Sequence, residues 1–465
     1  MRPRFTAIGC FLLVLGAGCK RPAPAPAPAV SVTVSESSFW VWHRSSDLSD
    51  GEIAALRSVA APRLYWQIAE FGWRDGKWTP RSLGKPPEPL PDGGPVIVPV
   101  VRLDPGADSL LKPEAAASLV RWLRFHYGDA PPRILQLDYD CPLRLLPRYA
   151  GYLWELKSQL GLEEISVTAL ASWIDSPALA DLGEVVSELV PMFYDIAPDP
   201  PDQVSRGTFV PMAGAEAEKW IGRWKACRTP WRAGLPNFER LTLFESDGNL
   251  VGHLRQWSPE SLAASSLFEP LDQAPGLASY RVIRAGSLDG TALEPGQILA
   301  WRAPGEDSLR RLLAASTSSG SRGIVWFALP GPGLRASYSP SHLSALSKGS
   351  ELLPSLRMRI DGDGRVVLRN DGPADLSIKP GEAPHRLVLE ANQPHTFKAR
   401  GPGRFFSLEP HPDSALSIEF SQRIALSFVE LRVGSEIASE SGLIPSREGR
   451  ELRWSLDDSA PVPFE

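Results

Sequence analysis

Ile134-Leu-Gln-Leu-Asp-Tyr-Asp140 decides the fold. Side chains along a strand alternate between faces, so Gln136, Asp138 and Asp140 project together while Leu135, Leu137 and Tyr139 project the other way. Two acids at the end of an apolar strand are costly to bury unless they are paired or used. In a parallel barrel, polar residues at a strand's carboxyl end stand where active sites form. Working outward, short apolar strands alternate with helix-length segments from Ser38 to about Leu329, the pattern of a parallel sheet wrapped by helices. Eight strands are read: Phe39 to His43, Leu64 to Glu70, Val96 to Arg102, Ile134 to Asp140, Ile165 to Ala171, Val190 to Tyr194, Arg232 to Pro236 and Ile324 to Leu329. Helices are predicted from Pro113 onward and along Tyr149, Tyr152, Leu153, Leu156 and Leu160, which fall on one stripe. The proline- and glycine-rich stretch after the second strand carries no helix signal.

The expected fold is therefore α/β, a (β/α)8 TIM-like barrel over residues 36–350 with an insertion at about 240–303. That insertion is expected to carry strands near Tyr280 to Ile283 and Ile298 to Trp301. Residues 351–465 change texture to brief alternating strands separated by turns such as Asp361-Gly-Asp-Gly364 and Asn370-Asp-Gly372. They predict a C-terminal antiparallel β-sandwich, with strands at Leu356 to Ile360, Val366 to Leu368, Leu387 to Leu389, Phe405 to Leu408, Leu416 to Phe420 and Ala425 to Val433.

The chain begins with Met1-Arg-Pro-Arg4 and an apolar run from Phe5 to Val14, the zones of a secretory signal over residues 1–18. Leu15-Gly-Ala-Gly-Cys19 resembles a bacterial lipoprotein cleavage site, with Leu15 one place further upstream than usual. The resemblance implies a lipid on Cys19 and a membrane anchor, and Lys20 after it favours the outer membrane of a Gram-negative cell envelope. Within the linker at residues 19–35, Pro22 to Pro28 alternate proline and alanine, a stiff polyproline II spacer. An oxidising compartment permits a disulfide between Cys141 and Cys227, but two cysteines far apart in sequence are as readily unpaired, and no bridge is assigned. A net charge of −5 without a basic stripe speaks against nucleic acid. No cofactor signature, metal-spaced histidines, CxxC, G-x-S-x-G or phosphate loop occurs, and nothing in the sequence sets an oligomeric state.

What remains are carboxylates and aromatic rings at strand ends: Asp138 and Asp140, Glu70, Asp104, and Met192-Phe-Tyr-Asp195, with Trp40, Trp42, Trp66, Trp173 and Trp326 at matching places. Acids in a ring-walled cleft suit glycoside hydrolysis, in which one carboxyl protonates the leaving oxygen and another charge stabilises an oxocarbenium-like centre. Sugar C–H faces also pack on aromatic rings. Other readings stand beside this one. Asp138 and Asp140 could form a structural network with Arg102, Arg144 or a neighbouring amide, His43 is a possible proton carrier, and Asp104, Asp138 and Asp140 could hold a divalent ion. Trp122, Trp154, Trp220 and Trp224 read as helix packing.

Phe39-Trp-Val-Trp-His-Arg44, Ile134 to Asp140, Ile165-Ser-Val-Thr-Ala-Leu-Ala-Ser-Trp173 and Val190-Pro-Met-Phe-Tyr-Asp195 resemble the blocks of a bacterial family known as domain of unknown function 3142. A more distant resemblance is to the chitinase-like barrels of glycoside hydrolase family 18, which carry D-x-x-D-x-D-x-E on the fourth strand and M-x-Y-D on the sixth. Asp138-Tyr-Asp140 falls where their D-x-E would, Met192 to Asp195 follows the second motif, and Trp326 matches a tryptophan on their eighth strand. Strand-end position and the resemblance together give Asp138, Asp140 and Asp195 as candidate catalytic residues and Tyr194, Trp326, Trp42, Glu70 and Gln136 as substrate-binding ones, acting on an extracytoplasmic polysaccharide. Asp140 departs from the pattern, being a methylene shorter than the family's glutamic acid, and a donor displaced by about 1 Å loses around a hundredfold in rate. Either the acid reaches differently, or the protein is a noncatalytic glycan-binding or envelope scaffold.

Overall fold

The computed structural model describes residues 36–75, 77–84, 90, 94–104, 111–128, 131–331, 334–398, 401–412, 420–445 and 450–464. The signal segment, Cys19, the spacer and the strand expected from Leu416 lie outside these residues, apart from Phe420. β-branched and aromatic runs form the inner strands: β1 (Ser37–Val41), β2 (Arg63–Arg74), β4 (Val96–Leu103), β5 (Ile134–Asp138), β6 (Glu164–Leu170), β7 (Glu188–Met192) and β8 (Ala233–Pro236). Between β2 and β4, β3 (Lys77–Leu83) turns back antiparallel on β2, where no helix was expected.

After β8 comes the insertion. Its strands β9 (Arg240–Phe244), β10 (Leu250–Leu254), β11 (Phe268–Ala274), β12 (Leu277–Val282) and β15 (Ile298–Arg302) form an antiparallel sheet in the order β10-β9-β15-β12-β11, with β13 (Gly286–Leu288) and β14 (Thr291–Leu293) as a separate hairpin. β16 (Ile324–Phe327) then pairs in parallel with both β1 and β8, and β1 also pairs with β2. The eight parallel strands β1, β2, β4, β5, β6, β7, β8 and β16 thus close into the barrel. Helix α1 (Asp50–Ser58) follows β1, and α2 (Pro113–Tyr127) and α3 (Leu146–Leu160) cover part of the barrel's outside. α2 and α3 each open with a proline in the first turn, and α3 ends at Gly161 with φ 68°, a left-handed cap that favours glycine. The buried stripe on α3 includes Tyr149, Tyr152, Leu153, Leu156 and Leu160, the spacing read from the sequence.

Register fixes which residues face inward. Phe39 lies beside Leu64 on one side and Trp326 on the other, and all three belong to the core between strands and helices. Trp40 lies beside Tyr65 and Phe327, and these point into the barrel. At the interior's amino-terminal end Tyr65 donates to Glu188 (2.6 Å), whose other oxygen accepts from Arg232 (2.8 Å), and Arg232 also reaches Glu36 (2.5 Å). Such buried charges are retained because each has its partner.

The C-terminal region packs two antiparallel layers. β17 (Leu356–Ile360) and β18 (Val366–Asn370) form a hairpin whose turn is held by Asp361 accepting from the amides of Asp363 and Arg365. Met358, Val366 and Leu368 from this layer meet Leu387, Leu389, Ile424 and Leu426 from the facing sheet, built on strands His385–Ala391, Phe420–Phe428 and Leu452–Leu456. Among the described residues no helix is long and apolar enough to cross a membrane.

Candidate active site

A strand ends at β5 with Asp138, and the chain continues for two residues with its alternation intact. Gln136, Asp138 and Asp140 consequently share the inner side, as the sequence predicts. Asp138 is 2% exposed, and its carboxylate accepts from Arg102 Nη1 (2.5 Å) and from Thr168 Oγ1 (2.7 Å). Arg102 comes from β4 and is the register partner of Asp138. Its second amino group reaches Asp140 at 3.4 Å. Arg102, one of the structural partners expected for the acids, therefore bridges them. Burial raises the Asp140 carboxyl above the ordinary aspartate range, the charge of Asp138 raises it further, and Arg102 opposes both.

These groups open into a cleft of about 1440 Å³ at the carboxyl ends of the strands. Its floor is aromatic. The Phe327 ring lies 5.9 Å from Trp40, 5.5 Å from Trp42, 5.8 Å from Tyr194 and 5.6 Å from Phe238. Tyr194 is stacked on Phe327, and burial together with Asp138 pushes its hydroxyl well above the usual range. It is therefore a neutral donor throughout ordinary conditions. His43 lines the same cleft and burial lowers its imidazole, with Glu70 opposing.

Of the residues expected from sequence, Asp138, Asp140, Asp195, Tyr194 and Trp42 line this cleft. Trp326 does not, and the correction follows from strand alternation. It is fully buried on the outer face, with its indole N–H 3.4 Å from Ser37 Oγ, and Phe327 takes the inward position. Gln136 also lies beneath the floor, fully buried, accepting from the Trp40 indole (2.7 Å) and so fixing that ring. Glu70 stands within electrostatic reach of His43 and Arg102 without lining the cleft. Asp195 is at the rim, where Arg240 holds both its oxygens at 2.7 and 2.5 Å. Asp104 pairs with Arg81 (2.5 Å), away from Asp138, and among the described residues no group of three or more His, Cys, Asp or Glu side chains could hold a metal ion. Trp173 is buried in the outer core, Trp220 packs against that core as expected and also lines the cleft, and Trp154 is 60% exposed.

Sequence reasoning missed Arg102 and Thr168 as site residues, although both sit at inward positions near strand ends. It also missed Phe238 and the wall from outside the barrel: His253, Arg255 and Trp257 from the insertion, and Glu430 and Arg432 from the C-terminal region.

Fold and site together define a parallel barrel with paired acids above an aromatic floor. Residues 92–258 match the family described as Domain of unknown function (DUF3142). That span contains three of the four blocks that carry the resemblance, and Phe39 to Arg44 precede it. No curated protein matches the chain. Similar solved structures include the spore cortex-lytic enzyme SleL of Bacillus megaterium (14% identity, 71% of this chain and 76% of that one, TM-score 0.44). The C-terminal domain of a putative chitinase from Desulfitobacterium hafniense is 13% identical over 68% of this chain and 99% of that one, with a TM-score of 0.46. A glycoside hydrolase family 18 N-acetylglucosaminidase from Paenibacillus barengoltzii is 12% identical over 63% of this chain and 94% of that one, with a TM-score of 0.38.

Proposed function

We propose that the cleft binds an extracytoplasmic polysaccharide and that Asp140 serves as general acid in cleaving a glycosidic bond. One observation carries this reading: two carboxyl groups enter a single aromatic-floored cleft with different partners. Asp138 is pinned by a guanidinium and a hydroxyl, while the Asp140 proton is held more tightly than that of an ordinary aspartate. Two carboxyl groups in unlike surroundings can divide the work of proton donor and charge stabiliser. Asp138 would stabilise positive charge at the reacting carbon, Tyr194 would hold a sugar substituent, and Trp42 and Phe327 would carry the ring.

The test is Asp140→Asn in the purified protein, read as reducing ends released from a panel of extracytoplasmic polysaccharides. A loss of about 10²–10⁴-fold is expected for removal of a general acid. Equal hydrolysis by the variant and the parent would sink the assignment.

A second reading, glycan capture without cleavage, is favoured by the contact of Arg102 with both carboxylates. It predicts affinity that depends on Phe327 and no turnover in the parent. Turnover that disappears in Asp140→Asn excludes it.

The sequence around Cys19 supports display of the barrel at the outer membrane through a lipid. Labelled fatty acid incorporation that is lost in Cys19→Ala, together with release of the variant from membranes, is the expected result. An unlabelled parent would rule the anchor out.

A further inference from the structure

The cleft has a second wall that the hydrolytic reading does not use. The acids below are already partnered: Asp138 and Asp140 by Arg102, Asp195 by Arg240, Glu239 and Glu430 by Arg335 at 2.9 Å each. Arg432 also pairs with Glu430. Arg255, which follows β10, is the exception. It is exposed, lines the cleft close enough to His43 for its charge to bear on that ring, and has no acidic partner among the described residues. Two residues on, Trp257 lines the same cleft, braced edge-on by Trp301 (5.5 Å between ring centroids) with the Arg335 guanidinium 6.0 Å from its ring centre. His43 and His253, its neighbours on this side, are both held below the ordinary histidine range, mainly by burial, so the guanidinium carries the charge at neutral pH.

An unspent cation beside a braced indole is the chemistry that recognises a sugar ring bearing an anionic group. The ring packs on the aromatic face, and a guanidinium forks onto a carboxylate or sulfate. The location also matters. Arg255 lines the cleft with its guanidinium open to a ligand, and the chain's net charge of −5 gives no general attraction for polyanions. We propose that Arg255 and Trp257 form a subsite for an acidic sugar residue of the glycan, one carrying a carboxylate or a sulfate ester. This rests on the cleft being a glycan site and narrows the substrate class to acidic polysaccharides.

The experiment uses the full chain on immobilised polygalacturonate, alginate and hyaluronan, on the carboxyl-reduced form of each, and on dextran sulfate and neutral dextran. Retention on at least one carboxylated polymer above its reduced counterpart, or on dextran sulfate above dextran, is expected, and which of the two occurs distinguishes carboxylate from sulfate. Arg255→Gln should weaken the acidic polymer about tenfold and leave its neutral counterpart unchanged. Trp257→Ala should weaken both. Equal retention of acidic and neutral forms throughout, or an acidic preference unaltered in Arg255→Gln, would overturn the proposal. Asp140-dependent cleavage of neutral glycans with no acidic preference would defeat this subsite alone. Arg255-dependent retention with full hydrolysis by Asp140→Asn would defeat only the catalytic assignment.

Discussion

Arg102 touches both acids and opposes the influences that raise the Asp140 pKa. A cation favours the charged form of a nearby carboxyl, and a second carboxylate disfavours it. Around Asp140 burial and Asp138 raise the pKa while Arg102 lowers it. If Asp140 donates a proton, kcat/KM falls as pH rises through that pKa, since the deprotonated acid has nothing to give. Arg102→Gln removes the only opposing influence named, so the alkaline limb should move to higher pH even as the maximum rate drops through lost positioning. The acids interact, and the limb belongs to the pair. A pH–rate profile of the variant checks this, and a limb that moves to lower pH would contradict the arrangement. The sequence made Asp138 and Asp140 legible because polar and apolar residues alternate cleanly around them. It left Arg102 ambiguous, because one arginine at a strand end reads equally as a solvated side chain, and only the register of β4 against β5 places it on Asp138.

At the scale of the strand the same logic explains the misplacement of Trp326. Ile324-Val-Trp-Phe327 is apolar on both faces, as a strand covered on both sides must be, so its residues carry no mark of which face is inward. Pairing with β1 resolves it, because Trp326 falls beside the outward Phe39 and Phe327 beside the inward Trp40. The two positions should therefore respond oppositely. Trp326→Ala removes a fully buried ring and should cost about 3–5 kcal/mol of stability while the remaining folded protein keeps its glycan affinity. Phe327→Ala, at the partly open floor, should cost less stability and lose most of the glycan affinity. Chemical denaturation with glycan retention on the same preparations checks both. Loss of affinity in Trp326→Ala with retention in Phe327→Ala would mean that the strand is in the other frame.

The whole molecule shows why the barrel and acids could be read from sequence whereas the second wall could not. Barrel strands announce themselves through local patterns, but Trp257, Arg335 and Arg432 meet only because the insertion and the C-terminal layers both fold against the mouth. Their junction is ionic as well as apolar. Glu239, 1% exposed at its side chain, accepts from Arg335 (2.9 Å) and Trp301 (3.2 Å) and lies 3.7 Å from Lys379 of the C-terminal region. Arg335 continues to Glu430, while Ile378 and Val429 join the apolar core of the insertion. Lys379 is 12% exposed at its side chain, desolvation lowers its ammonium below the ordinary lysine range, and it is also held by the Ser337 carbonyl at 2.8 Å and over the Tyr338 ring at 4.0 Å. Removing one member of a buried ion group leaves the others uncompensated, at a cost of about 3–5 kcal/mol. Glu239→Gln keeps the shape and deletes the charge, so it should lower stability by about that amount. Because the cluster ties three regions together, the loss should appear as uncoupling: calorimetry of the parent should give one cooperative transition, and the variant should give two, with the C-terminal layers melting first. A parent that already melts in two steps would show that the C-terminal layers are stable without the barrel, and the cleft's second wall would then have to be held in place by the apolar contacts alone.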